Sequence, residues 1–114
     1  MWLSNLELLK HVKDEIDFVL NSVGDKKKDS VINDDLLSRA IIRSLEIIGE
    51  ATKKLDDDFK RQYPHIEWKK MAATRDKLIH DYFGVDYDIV WDIIENKLPD
   101  LQFFIGEVFD ENKD

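Results

Sequence analysis

Asp34-Asp35-Leu36-Leu37-Ser38-Arg39-Ala40-Ile41-Ile42-Arg43-Ser44-Leu45-Glu46-Ile47-Ile48-Gly49-Glu50-Ala51 decides the fold of this chain. Leu37, Ala40, Ile41, Leu45, Ile48 and Ala51 recur at three- and four-residue steps and run on to Leu55, which predicts a helix. Ile42 and Ile47 widen the stripe. More than one face should therefore be covered, as in a central bundle helix or one at a dimer interface. Asn33 or Ser30 is the expected cap, with Asp34 and Asp35 in the first turn, where the helix dipole favours negative charge. Gly49 inside the helix costs roughly 1 kcal/mol relative to alanine. Close approach of another helix is the expected compensation. Arg43, Glu46 and Glu50 share a side of this helix. They form either a surface ion pair or a set in which Glu50 or Glu46 partners Arg75 or orients His80.

Outward from this element the pattern stays helical. Residues 3–23 are amphipathic, with Leu6, Leu9, Ile16, Val19, Leu20 and Val23 on one side and Ser4 or Asn5 as cap. Gly24 ends that helix, and the lysine run within 24–32 reads as a solvated loop. After Leu55 a short helical turn is expected around Phe59. Pro64 disfavours helix at Tyr63, and His65 beside it is expected in an exposed loop. Trp68 anchors the next helix, which should run to Gly84. Asp86 is a good cap for a helix carrying Tyr87, Val90, Trp91 and Ile94. Pro99 either kinks that helix or starts another, on which Leu101, Phe104, Ile105, Val108 and Phe109 pack. The tail 110–114 should fray. The expected architecture is all-α: one domain over residues 1–114, an up-and-down bundle of four main helices plus a short one.

Bulk properties narrow the function. At 114 residues there is room for one modest core. Hydrophobic residues are 43% and charged residues 37%, the balance of a helical protein in water. No apolar run is long enough to span a membrane. Met1-Trp2-Leu3-Ser4-Asn5 lacks the features of a secretory signal, so a cytoplasmic location is expected. Cysteine is absent, which removes disulfides and thiolate chemistry. The net charge of −8 repels phosphate, so any nucleic-acid role must rest on a locally basic cleft or a partner.

One stretch gathers chemistry: Arg75-Asp76-Lys77-Leu78-Ile79-His80-Asp81-Tyr82. On a helix advancing about 100° per residue, Met71, Ala72, Arg75, Leu78, Ile79 and Tyr82 share a stripe, with His80 about 140° from Arg75. Arg75 is thus a charge among residues that favour burial, and it needs a carboxylate or an anion. The two side chains can converge if the last turn loosens, or if two copies meet across a two-fold axis. His80 titrates near neutral pH and can move protons. Arg75 can hold phosphate, and Tyr82 can bond phosphate or stack on a base. Such a set could cleave RNA without a metal, although a lone histidine near an arginine is more often structural.

The same residues resemble a known family. Arg75-x-x-x-x-His80-x-Tyr82 matches the signature of the HepT-like toxins, a branch of the HEPN superfamily. Arg43-Ser44-Leu45-Glu46-Ile47-Ile48-Gly49-Glu50-Ala51, Pro64-x-Ile66-x-Trp68, Asp81-Tyr82-Phe83-Gly84-Val85 and Trp91 extend the likeness to roughly residues 4 to 107. Ala72-Ala73-Thr74 departs mildly from the pattern. The resemblance implies a homodimer with two facing motifs and a metal-independent endoribonuclease acting as toxin. It implies a minimal nucleotidyltransferase antitoxin that uses ATP to adenylylate Tyr82, while the toxin itself needs no cofactor. Arg75 and His80 would be catalytic, with Tyr82 as substrate contact and modification site. Asp76, Glu50 and Arg43 would support them. Two rival readings stay open. One is a non-catalytic module that binds a nucleotide or the partner. The other is a structural motif in which Arg75 pairs with Glu50 and His80 caps the helix end.

Overall fold

Ser4 starts the first helix as predicted. Its hydroxyl accepts from the Glu7 amide at 3.1 Å, and the Glu7 carboxylate accepts from the Ser4 amide at 3.3 Å. These reciprocal bonds satisfy donors that a helix start otherwise leaves unpaired. The computed structural model describes residues 4–81 and 84–113, the side chains of 79–81 excepted. Its helices are α1 (Asn5–Val23), α2 (Lys28–Ile32), α3 (Asp35–Lys53), α4 (Asp57–Arg61), α5 (Trp68–Ala72), α6 (Thr74–Leu78), α7 (Tyr87–Asp92) and α8 (Leu98–Glu111). A π-helical stretch, Ile93–Lys97, joins α7 to α8. Strands β1 (Ile79–Asp81) and β2 (Gly84–Val85) form an antiparallel ribbon.

The all-α bundle is as expected in its main rods: α1, α3, the α5–α6 pair and the α7–α8 rod. α1 lies along α3 and α8, and α5 and α6 cross α3. Leu9, Val12, Ile16 and Val19 of α1 are buried against Ile41, Leu45 and Ile48 of α3. Leu78, Leu98, Ile105 and Val108 complete the centre. Trp68 is the buried anchor expected, and its indole N–H donates to the carbonyls of Tyr63 and Lys60 at 3.0 and 3.1 Å. Among the described residues no helix is long and apolar enough to cross a membrane.

Four details differ from the sequence reading. The segment 24–32 is not all loop: α2 forms there because Val31 is buried, and Lys28 reaches across to pair with Asp88 of α7. The cap of α3 is Asp34, whose carboxylate accepts from the Leu37 amide at 2.9 Å, rather than Asn33 or Ser30. Helix α8 persists to Glu111 instead of fraying at 110, since Asn112 beyond it bonds the Val108 carbonyl at 2.7 Å and the Tyr63 hydroxyl at 3.1 Å. Finally, helix does not run to Gly84. It pauses at Ala73 and stops at Leu78, where the chain turns into the ribbon.

A polar clasp locks α1 to α8. Lys13 and Gln102 both donate to the Asp17 carboxylate, at 2.7 and 2.8 Å. Burial alone would raise the Asp17 carboxyl, but these two hydrogen bonds and the charges of Lys13 and Lys10 together outweigh it and hold it below its ordinary value of 3.8. A lowered carboxylate stabilises the fold above its unfolded value and loses that contribution as pH falls through the folded one. In urea unfolding down an acid series, Asp17→Asn should therefore cost stability near neutrality and narrow its gap to the parent below about pH 3.8.

Candidate functional site

Gly49 of α3 lies under the junction of α5 and α6. A Cβ placed there would meet the carbonyl oxygens of Ala72 and Met71 at 3.4 and 3.6 Å, and the backbone nitrogen of Arg75 at 3.9 Å. The close approach inferred from a glycine in mid-helix is thus present, and what approaches is the backbone of the motif itself. The chain stays nearly helical across Ala73. The Lys77 amide donates to the Ala73 carbonyl at 3.1 Å, and the Thr74 hydroxyl bonds the Lys70 carbonyl at 3.1 Å.

This contact delivers Arg75 to the turn of Glu46. Arg75 Nε stands 3.5 Å from Glu46 Oε2. The arginine side chain is 51% exposed, so it is not the buried charge that a continuous helical stripe implied. Ending α6 at Leu78 removes that stripe. The carboxylate partner is Glu46, one of the two acids expected; Glu50 is exposed and makes no ion pair among the described residues. Arg43 and Asp76 are also exposed and unpaired among the described residues. The arginine–acid pair therefore runs between helices rather than along one.

His80 sits in β1 rather than on α6. Ile79 pairs with Val85 and Asp81 with Gly84, so β1 carries one residue more than β2 between the paired positions, and that residue is His80. Such bulges bend a strand and are common beside active sites. The Asp86 amide donates to the Leu78 carbonyl at 3.0 Å, and Asp86 also caps α7, accepting from the Asp88 and Ile89 amides at 3.0 and 3.2 Å. The loosened last turn considered from the sequence is thus a complete exit from helix. The 140° separation on a helical wheel no longer applies to Arg75 and His80. Tyr82 lies outside the described residues.

His65 is exposed, as expected, and so is His11 of α1. His65 is not idle, however: it packs edge to face on Phe104, with ring centres 5.1 Å apart. Both line a pocket that no pattern in the sequence announces, between α5–α6 and the α7–α8 rod. Neither Arg75 nor Glu46 lines it.

Comparison with known proteins adds a family. Residues 9–108 match the model of the family described as ribonuclease HepT-like. A "putative RNase" of Methanocaldococcus jannaschii is 50% identical over 93 residues, 82% of this chain and 74% of the relative. Another, of Caldanaerobacter subterraneus subsp. tengcongensis, is 40% identical over 105 residues, 92% of this chain and 94% of the relative. A "probable ribonuclease HepT" of Thermococcus cleftensis is 54% identical over 63 residues, covering 55% of this chain and 57% of that protein. No solved structure matches.

Three outcomes are expected from this geometry. Gly49→Ala should leave stability within about 1 kcal/mol of the parent, because one methyl fits at contact distance and improves helix propensity. Gly49→Leu should cost about 1–3 kcal/mol in urea unfolding, because its branches meet the 71–75 backbone. Glu46→Ala should cost less than about 1 kcal/mol, since a half-exposed pair is well screened.

Proposed function

The chain belongs to the HepT-like ribonuclease family, and from that premise we propose that it is the toxin of a HEPN/MNT, type VII toxin–antitoxin pair that cleaves RNA inside the cell. The observation that carries the reading is the placement of Arg75. It is half exposed, held on the surface of α3, and five residues ahead of His80 at the bulge.

In the proposed reaction His80 takes the proton of a ribose 2′-hydroxyl, directly or through a water. The 2′-oxygen attacks the adjacent phosphorus, and the bond to the 5′-oxygen breaks. Arg75 offers its guanidinium to the non-bridging oxygens, where charge grows as phosphorus becomes five-coordinate. The leaving 5′-oxygen takes a proton from the His80 of a second copy of the chain. A homodimer is part of the proposal for that reason. It also places two guanidiniums in one cleft on a protein whose net charge is −8. No metal or cofactor enters the scheme. Asp76, Glu50 and Arg43 keep only supporting roles.

Tyr82 is proposed as a substrate contact and as the residue that a nucleotidyltransferase antitoxin adenylylates with ATP. An added AMP puts bulk and negative charge where an RNA phosphate must lie, and so excludes the substrate. The protein's acidity favours one rival, a module that binds nucleotide or partner without cutting.

The experiment is incubation of the purified protein with RNA in EDTA, before and after adenylylation. Parent protein should cut, and the modified protein should not. Arg75→Ala and His80→Ala should each lower the rate by about 100-fold or more while folding and dimerisation persist. Cleavage by His80→Ala at the parent rate would refute the assignment. Nucleotide binding without cleavage would favour the non-catalytic module.

A further inference from the structure

A pocket of about 190 Å³ lies between α3, the α5–α6 segment and the α7–α8 rod. Its floor is apolar, made by Leu45, Ile48, Met71, Leu98 and Leu101. One wall is the ring of Phe104, steadied by the edge-to-face contact with His65. Three lysines reach it from separate elements: Lys70 of α5, Lys77 of α6 and Lys97 of the π stretch. Glu67, Asp92 and Asp100 face them.

Those charges are not all free. Lys70 is committed to Glu67 at 2.6 Å. The Asp92 carboxylate accepts from the Asn96 amide at 2.7 Å. Lys77 and Lys97 make no ion pair among the described residues. Both are near enough for their fields to act on Glu67: its carboxyl is held below the ordinary value first by the Lys70 hydrogen bond, then by the charges of Lys70, Lys97 and Lys77. The mouth thus keeps two uncommitted ammonium groups beside an apolar, aromatic interior.

The backbone supplies a separate indication. Ile93–Lys97 is π-helical, and Ile93, Asn96 and Lys97 of that wide turn line the pocket. Single π turns are rare and occur frequently at functional sites. A regular α-helix through these residues would rotate Lys97 relative to Ile93 and change what lines the mouth.

We propose that this pocket is a nucleotide-binding site distinct from the Arg75 site, taking a nucleobase against Phe104 and the apolar floor and a phosphate on Lys77 and Lys97. A base offers a flat apolar face that stacks on an aromatic ring whatever its sequence. A phosphate is the anion that lysines bind as point charges. The capacity for an aromatic anion stands on the pocket alone, and the choice of a nucleotide rests on the ribonuclease reading. The nucleotide can be free or part of the RNA chain flanking the cleaved bond.

Protein-observed NMR titration tests this without any need for cleavage. The probes are 5′-AMP, inorganic phosphate, and a short all-deoxy oligonucleotide that lacks the attacking 2′-hydroxyl. AMP should shift amides of residues 93–101 and Phe104 in a saturable way, and phosphate alone should bind at least about tenfold more weakly for want of a base. Lys97→Glu should weaken AMP by about tenfold or more, with Lys97→Gln as the milder form should the first not fold. Glu67→Gln should tighten binding, because it releases Lys70 and removes a competing carboxylate. A merely structural role for Glu67 would not produce that gain. Stronger binding of the oligonucleotide than of AMP at these amides identifies the RNA chain as the source, and the reverse identifies free nucleotide. Shifts confined to the Arg75 region, no saturable shifts at all, or parent-like affinity in a folded Lys97→Glu protein would overturn the proposal. Binding here in a protein that cuts no RNA would leave the pocket standing and remove the nuclease reading. Cleavage without binding here would do the opposite.

Discussion

Two helices bring their backbones into close approach only where the residue between them is small, and Gly49 provides that gap. The carbonyls of Met71 and Ala72 and the amide of Arg75 rest over its bare Cα. The glycine weakens α3 by its poor helix propensity, and the docking of α5–α6 compensates. That docking sets the height and rotation at which Arg75 leaves the surface, and so its meeting with Glu46 across the helix gap. It also fixes where α6 can end. Leu78 is fully buried beneath the chain, and its carbonyl takes the Asp86 amide, which turns the backbone into the ribbon that carries His80.

Electrostatics then works on a short range. The chain carries −8 overall, yet its lysines and Arg75 are unevenly used. Many pair locally with acids, as in Lys10–Asp14, Arg61–Asp58 and Lys113–Asp110. Exposed pairs of that kind add little stability, but they do neutralise cations that would otherwise attract phosphate indiscriminately. Lys77 of α6 and Lys97 of the π stretch are among the cations that make no ion pair among the described residues. Glu46 restrains Arg75 loosely at 3.5 Å and half in solvent, a distance from which an incoming phosphate can compete.

The long elements were legible because local pattern and tertiary packing agree there. The apolar spacing of α1 and α3, the Ser4 and Asp86 caps, the turn around Phe59 and the burial of Trp68 all follow from nearest-neighbour chemistry. Gly49 announced a helix contact because nothing local justified a glycine. The misread parts were decided at a distance. Apolar spacing runs helically through Leu78, and only the pairing of β1 with β2 and the Asp86 bond ends it. Helix α2 depends on burying Val31 and on Lys28 reaching a residue sixty positions away. The π stretch has no periodic signature, and Pro99 marked only that something changes nearby. The need of Arg75 for a carboxylate partner was evident from its charge and its apolar neighbours. The choice of Glu46 over Glu50 depends on how α6 crosses α3, which no spacing along one helix encodes.

If the glycine gap places the arginine for chemistry, filling it should hurt catalysis more than folding. The direct measurement is the RNA cleavage rate of Gly49→Leu protein, at a temperature where circular dichroism shows it folded and light scattering shows the parent's oligomeric state. The account expects at least about a 100-fold loss, since misplacing a charge-stabilising group by an ångström is enough to forfeit its effect, while Gly49→Ala stays near the parent. Parent-like cleavage by folded Gly49→Leu protein would contradict it.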